Sequence, residues 1–193
     1  MQWLNLLEQH PPLLLLVTAL FALTVGSFLN VVIHRLPRMI EEDWRRECDQ
    51  GAEATDKAPA PKSMTLARPA SHCPSCGHRL RPLENIPLLS YLFLRGRCSA
   101  CKAPISLRYP LVEAATAVLS VLVVWRFGFT WESPAALVLT WGLVALAVID
   151  FDTQLLPDAI TLPLLWLGLL LSLQGWFTDS HSAILGAALG YLS

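Results

Sequence analysis

Residues 13 to 33 read LLLLVTALFALTVGSFLNVVI without a single charge, and His34-Arg35-Leu36-Pro37-Arg38 follows at once. A helix needs about 20 apolar residues to cross the hydrocarbon core of a bilayer, so this run is long enough to span. The basic cluster behind it marks a return to water on the side that retains Lys and Arg. A secretory signal peptide reads differently. It begins with positive charge, has a shorter apolar core and ends in a small-residue cleavage site.

The remainder of the chain agrees with a membrane setting. It is 54% hydrophobic and 15% charged, too apolar for an ordinary soluble domain. Of the 14 Lys and Arg residues, 13 lie between Arg35 and Arg108, together with eight Asp or Glu, so that stretch carries +5 while the flanks are nearly charge-free. This is the division expected of a polytopic protein with one long polar loop. Further apolar runs extend from Leu111 to Phe129, from Trp131 to Ile149 and from Ala159 to Thr178. Glu113 and Arg126 sit near the ends of the first of these, within reach of the interface. A last stretch from Ser182 to Ser193 is too short to span and is expected to be the start of another membrane segment in a chain that continues.

The expected fold class is an α-helical polytopic membrane protein. It has four full transmembrane helices and the start of a fifth, with a small zinc-binding cytoplasmic domain between helices 1 and 2. The corresponding divisions are an N-terminal transmembrane helix over 1–33, a loop domain over 34–110, and the beginning of a transmembrane domain over 111–193. Arg35, Arg38, Arg45 and Arg46 follow the first helix, and Arg95, Arg97, Lys102 and Arg108 precede the second. The opposite side offers only Arg126, so the long loop is placed in the cytoplasm.

A loop of this length exceeds a bare connector. Its first part, Glu41 to Lys62, is charged and then rich in Ala and Pro, as expected of a short surface helix and a flexible linker. Cys48 lies there without a paired cysteine and reads as a spare thiol. Further on, Cys73-Pro74-Ser75-Cys76-Gly77 and Cys98-Ser99-Ala100-Cys101-Lys102 repeat one spacing. Four thiolates complete a tetrahedral zinc shell, and a glycine after the second sulfur suits a tight turn whose backbone amides point at thiolate sulfur. Two disulfides or a redox dithiol are the alternatives, and a reducing cytosol disfavours the disulfides. With four sulfurs filling the shell, His72 and His78 are expected to be solvated. Metal binding would contribute directly to the folding of so small a module.

Val148-Ile149-Asp150-Phe151-Asp152 closes the third apolar run, and Gln154-Leu155-Leu156-Pro157-Asp158 follows. An aspartate here has two readings. It marks the water boundary, or it is a catalytic acid in a partly desolvated site. Spacing alone favours the boundary. Asp152 and Asp158 read as loop residues, with Asp158 placed to cap the next helix.

Several segments resemble the type IV prepilin peptidases. They are Gly26-Ser27-Phe28-Leu29-Asn30-Val31-Val32-Ile33-His34-Arg35-Leu36-Pro37, both cysteine pairs, Glu84-Asn85-Ile86-Pro87-Leu88-Leu89-Ser90-Tyr91-Leu92, Arg108-Tyr109-Pro110-Leu111-Val112-Glu113, and Ile149-Asp150 with Leu155-Leu156-Pro157-Asp158. The resemblance covers nearly all of the chain except Glu41 to Lys62. It implies a multi-pass protein of the bacterial inner membrane that cleaves the basic leader from prepilins and pseudopilins. It also implies N-methylation of the new terminus, with S-adenosylmethionine as donor. By position Asp150 becomes the first catalytic carboxylate, which reverses the boundary reading, and Cys73, Cys76, Cys98 and Cys101 become metal ligands for zinc. The second aspartate of the family lies in a Gly-x-Gly-Asp motif that does not occur in these 193 residues. Its position would fall beyond Ser193, so these residues alone are expected to be inactive as a protease.

The chain has no glycine-rich donor-binding loop of the dinucleotide-binding kind. Glu84 and Glu113 are the candidates for contacting an amine. The partners expected are prepilin and pseudopilin substrates and the lipid bilayer, without nucleic acid. Two rival readings are a non-enzymatic scaffold and a transporter using Asp150. A transporter would place its key charge nearer the bilayer midplane.

Overall fold

The computed structural model describes residues 9–51, 65–66, 71–81, 84 and 86–192. Among these residues the regular secondary structure is helical, apart from two isolated β-bridges in the loop module. The helices are α1 (Pro11–Gly51), α2 (Leu89–Phe93), α3 (Arg108–Phe127), α4 (Glu132–Thr153), α5 (Asp158–Ser172) and α6 (Ser180–Leu192). Three of them, α1, α3 and α4, are long and apolar enough to cross a membrane.

The first helix does not stop at Ile33. It continues through Pro37 into the charged segment and reaches Gly51. At 1.5 Å per residue, 41 residues extend about 60 Å, twice the thickness of the hydrocarbon core. Pro37 forfeits the hydrogen bond that its N–H would give to the carbonyl of Ile33. The residues beyond it nevertheless favour helix, and Glu42 and Asp43 lie one turn before Arg46, 3.7 and 3.5 Å from its guanidinium. The surface helix expected from Glu41 is therefore the extension of the membrane helix. Cys48 is exposed and free. The linker expected over 52–62 lies outside the described residues.

The fourth expected span, Ala159 to Thr178, also differs. Helix α5 covers 15 residues, about 22 Å, and then gives way to a turn at Gly175. Among the described residues it is an apolar helix shorter than a full crossing. Asp158 is its first residue rather than its cap. Pro157 holds the cap position without a side-chain bond, and Asp158 favours the helix through its charge in the first turn.

The interior is the seam among α1, α3 and α4. Leu29 and Ile33 of α1, Val112 of α3, and Ala145 and Ile149 of α4 are buried together. Small and hydroxyl-bearing residues let the backbones approach, as in membrane bundles generally. Thr116 and Ser120 are fully buried on α3, each bonding back one turn at 2.7 Å. The Trp141 indole of α4 then donates to the Ser120 hydroxyl at 2.9 Å. Outside this seam the polarity is that of a lipid-facing surface. Leu16, Leu20, Phe21, Val118, Leu122 and Leu143 are all exposed. A water-soluble monomer does not leave so continuous an apolar surface uncovered.

Gly26 is the tightest point of the seam. A Cβ placed there would lie 2.8 Å from the Glu113 Cα and 3.2 Å from the Thr116 Cβ. The nearer atom is backbone, so α1 and α3 would have to separate. Gly26→Val is expected to cost about 1–3 kcal/mol of stability through overpacking. Thermal unfolding in detergent micelles measures it, and an unchanged midpoint would refute the close approach.

Candidate metal centre and active site

The loop module is one short structure used twice. The Cys73 N–H donates to the His78 carbonyl at 2.9 Å, and the Gly77 N–H returns to the Cys73 carbonyl at 2.9 Å. Twenty-five residues later the Cys98 N–H donates to Ala103 at 2.8 Å, and the Lys102 N–H returns to Cys98 at 3.1 Å. The flanks match as well. Leu80 N–H to Ser71 at 3.0 Å corresponds to Ile105 N–H to Gly96 at 2.7 Å. His72 bridges Arg79 as Arg97 bridges Pro104. In each copy the residue after the second cysteine takes a left-handed conformation, φ 70° at Gly77 and 60° at Lys102. Only the first copy has the glycine that adopts this conformation without strain.

The two copies face each other through their sulfurs. The Sγ atoms of Cys73, Cys76, Cys98 and Cys101 all lie within 4.8 Å of one another, and Cys73 and Cys101 approach to 3.8 Å. All four are free thiols, with Cys98 buried and Cys76 and Cys101 exposed. The backbone N–H groups of Ser75 and Cys76 hold Cys73 down to about 6. Those of Cys101 and Ala100 lower Cys98 in the same way. At Cys76 the N–H of His78 favours the thiolate, but the neighbouring Cys101, burial, and the Cys73 and Cys98 sulfurs outweigh it and push the group up to about 12. Four sulfurs this close cannot all ionise without a cation among them. The cluster is therefore able to hold a metal ion.

The histidines divide. His72 is exposed, but His78 is half-buried and its Nε2 lies 3.4 Å from the Glu84 Oε2. Glu84 also accepts the Arg81 N–H at 2.9 Å, which with the Ser99 side chain keeps its carboxyl below the usual range. His78 is thus engaged rather than solvated, and Glu84 braces the first cysteine turn against the second.

Glu113 is turned inward rather than toward solvent. It is buried on α3, and its Oε2 accepts the Leu88 N–H at 2.8 Å. Leu88 adopts φ 56°, an uncommon conformation for a residue with a branched side chain, and this turn delivers the amide to the carboxylate. Nearby the Asn30 side chain of α1 donates to the Tyr109 carbonyl at 3.1 Å. Arg35 donates to the carbonyls of Thr65 and Leu66 at 3.0 and 3.1 Å. The loop module is therefore fastened to the middle of α1 and to the first turns of α3.

The same end of the bundle carries the aspartates. Asp150 lies in the last turn of α4, exposed, directly after the fully buried Ile149. Helix α4 continues to Thr153 and ends on Gln154 in a left-handed conformation, so the connector to α5 is only four residues, 154–157. Asp152 pairs with the Arg108 guanidinium at the start of α3. Asp158 stands 3.5 Å from the Thr161 hydroxyl. The Asp150 carboxylate has no hydrogen bond or ion pair among the described residues. Sequence reasoning missed the Arg108–Asp152 pair and the Glu113–Leu88 bond, which join residues 44 and 25 positions apart. No local spacing pattern encodes either.

Residues 20–127 match the model of the bacterial peptidase A24 N-terminal domain, and residues 137–193 match that of the type IV leader peptidase family. A prepilin leader peptidase/N-methyltransferase of Pseudomonas aeruginosa is 55% identical, over 100% of this chain and 66% of its own length. Proteins of the same name from Stutzerimonas stutzeri and Aeromonas hydrophila are 51% and 52% identical, covering 97% and 98% of this chain and 64% and 65% of their own lengths. The chain thus spans slightly less than two thirds of these curated relatives. No solved structure matches it. With the N-terminal model alone covering more than half of the residues, the chain belongs to the peptidase A24 family of type IV leader peptidases.

Proposed function

We propose that the protein is a membrane aspartic endopeptidase that removes the leader from prepilins and pseudopilins and then N-methylates the new terminus. The observation that carries this reading is the state of the three carboxylates between Asp150 and Asp158. Asp152 is neutralised by Arg108, Asp158 serves the first turn of α5, and Asp150, at the end of a span-length helix, has no partner among the described residues. The relatives' name, prepilin leader peptidase/N-methyltransferase, supports the two activities.

Asp150 acts as one of two carboxylates that share a proton. One activates a water while the other protonates or polarises the scissile carbonyl, and the pair titrates as a unit. The second carboxylate is not in a Gly-x-Gly-Asp of these 193 residues. The long loop is cytoplasmic, because Lys and Arg gather at the loop ends of α1 and α3. The scissile bond then lies at the inner face of the bacterial inner membrane, where a basic leader meets the apolar helix of its substrate. The chain divides into an N-terminal helix over 1–33, the loop domain over 34–110 and the peptidase part from 111. Helix α5, with the turn after it, completes a fourth crossing, and α6 begins a fifth. Methyl transfer uses S-adenosylmethionine as donor and takes place on the same face.

In the full-length protein, Asp150→Asn is expected to lower prepilin cleavage on the order of a thousandfold or more. Asp152→Asn loosens the α3–α4 end but keeps the reaction. Cleavage by the Asp150 variant at the unaltered rate would overturn the assignment. Residues 1–193 alone, in detergent or lipid, are expected not to cleave, and robust activity from them would overturn the two-carboxylate reading.

The metal is zinc, held by Cys73, Cys76, Cys98 and Cys101. A zinc–sulfur bond of about 2.3 Å places tetrahedral sulfurs about 3.8 Å apart, the spacing that Cys73 and Cys101 already have. The ion supplies structure, closing the two turns on each other. Cys73→Ser and Cys98→Ser are each expected to release zinc and to impair methylation at least as much as cleavage. Elemental analysis of purified protein decides it, and full zinc content in both variants would refute the four-thiolate site. Gly77→Val, which forces a β-branched residue to φ 70°, is expected to weaken zinc retention about tenfold. Competition with a chromogenic chelator measures the loss, and unaltered retention would mean that the turn carries no strain.

A further inference from the structure

We propose that the basic hollow beside α2 seats the headgroup of an anionic phospholipid while the apolar side of α2 lies in the bilayer interface. Helix α2 buries none of its five residues. Leu89, Leu92 and Phe93 are 51%, 69% and 83% exposed, a combination that water does not favour. Directly after them the chain turns through two left-handed residues, Arg95 and Gly96. There an open depression of about 430 Å³ is lined by Phe93, Leu94, Arg95, Arg97 and Lys102. Three cations share it, no carboxylate lines it, and none of the three forms an ion pair among the described residues. Like charges gathered in one hollow repel unless an anion sits between them.

The position of α2 identifies the occupant. Leu88, just before α2, is bonded to Glu113 in the second turn of α3. Ile105, three residues before α3, is bonded to Gly96. The hollow and the exposed leucines therefore stand level with the loop-side end of the membrane helices, where α3 itself exposes Leu111. A soluble phosphate would satisfy the three cations and leave Leu92 and Phe93 in water. A phospholipid satisfies both, with its phosphate in the hollow and its acyl region against α2. The inference rests on α1, α3 and α4 spanning the membrane, and it is independent of Asp150.

The test places the photoreactive amino acid p-benzoylphenylalanine at Phe93 in the full-length protein. The protein is embedded in nanodiscs of equal phosphatidylcholine and phosphatidylglycerol, and the lipid adducts are counted by mass spectrometry. Phosphatidylglycerol adducts are expected in excess. Arg95→Gln, which lies clear of the cysteines, is expected to reduce that excess about fivefold, the share of one cation at an anionic surface. A combined Arg95→Gln, Arg97→Gln, Lys102→Gly variant is expected to abolish the excess while phosphatidylcholine adducts and metal content persist, since glycine keeps the turn that Lys102 makes. Equal labelling of the two lipids, an excess that survives Arg95→Gln, or absence of lipid adducts overturns the proposal. So does loss of the excess on adding inorganic phosphate, which would mark a site for a soluble anion. Adducts to a protein in native membranes, in place of lipid, would assign the surface to a partner and overturn it equally. An Asp150→Asn protein is expected to label in the same way, so failure of the peptidase reading and failure of the lipid site remain distinguishable.

Discussion

A buried carboxylate joins the two halves of this protein. Glu113 sits on the face of α3 that packs against Gly26, and its Oε2 holds the amide of Leu88 at 2.8 Å. A carboxylate away from water is tolerated only when its oxygens are hydrogen-bonded, and an amide beside the bilayer has the same need. Each group answers the requirement of the other. The absence of a side chain at Gly26 brings α1 close enough to cover the pair. The close helix seam, the unusual backbone of Leu88 and the docking of the loop module are thus consequences of one contact.

The charges at this end of the bundle are distributed by the same logic. Arg108 opens α3 and Asp152 lies near the end of α4, so their pairing fixes where these two helices finish relative to each other. Asn30 caps the arrangement from α1 through the Tyr109 carbonyl. What this leaves unpaired is Asp150, two residues before Asp152, on a turn anchored by the fully buried Ile149. A carboxylate on a rigid helix end, with its neighbour Asp152 already neutralised, suits the proposed catalytic role better than one on a mobile loop.

The parts legible in the sequence were those written in local pattern. Uninterrupted apolar runs announced α1, α3 and α4, and the repeated Cys-x-x-Cys spacing announced the sulfur cluster. What was illegible depended on pairs far apart in the chain. The extension of α1 through Pro37 defeats the rule that proline ends a helix, because the residues after it supply their own ion pairs. Glu113 looked like an interfacial charge because nothing near it in sequence reveals Leu88. Asp150 was equivocal for the same reason. Its distinction from Asp152 is that Arg108, 44 residues before Asp152, neutralises one and not the other.

The sulfur cluster acquires a mechanical meaning from this geometry. A module built from two short cysteine turns buries too little to hold itself together, so its fold is linked to occupancy of the four sulfurs. The second turn runs into α3 within seven residues, from Cys101 to Arg108, and it braces Gly96 through Ile105. Arg108 is also the partner of Asp152. Closing the sulfurs on an ion would therefore fix the start of α3, and through the Arg108–Asp152 pair the end of α4 that carries Asp150. On this argument the cluster stands outside the proposed peptide chemistry yet sets the position of the residue proposed to perform it. Loss of the metal would reach Asp150 through α3 rather than through any direct contact.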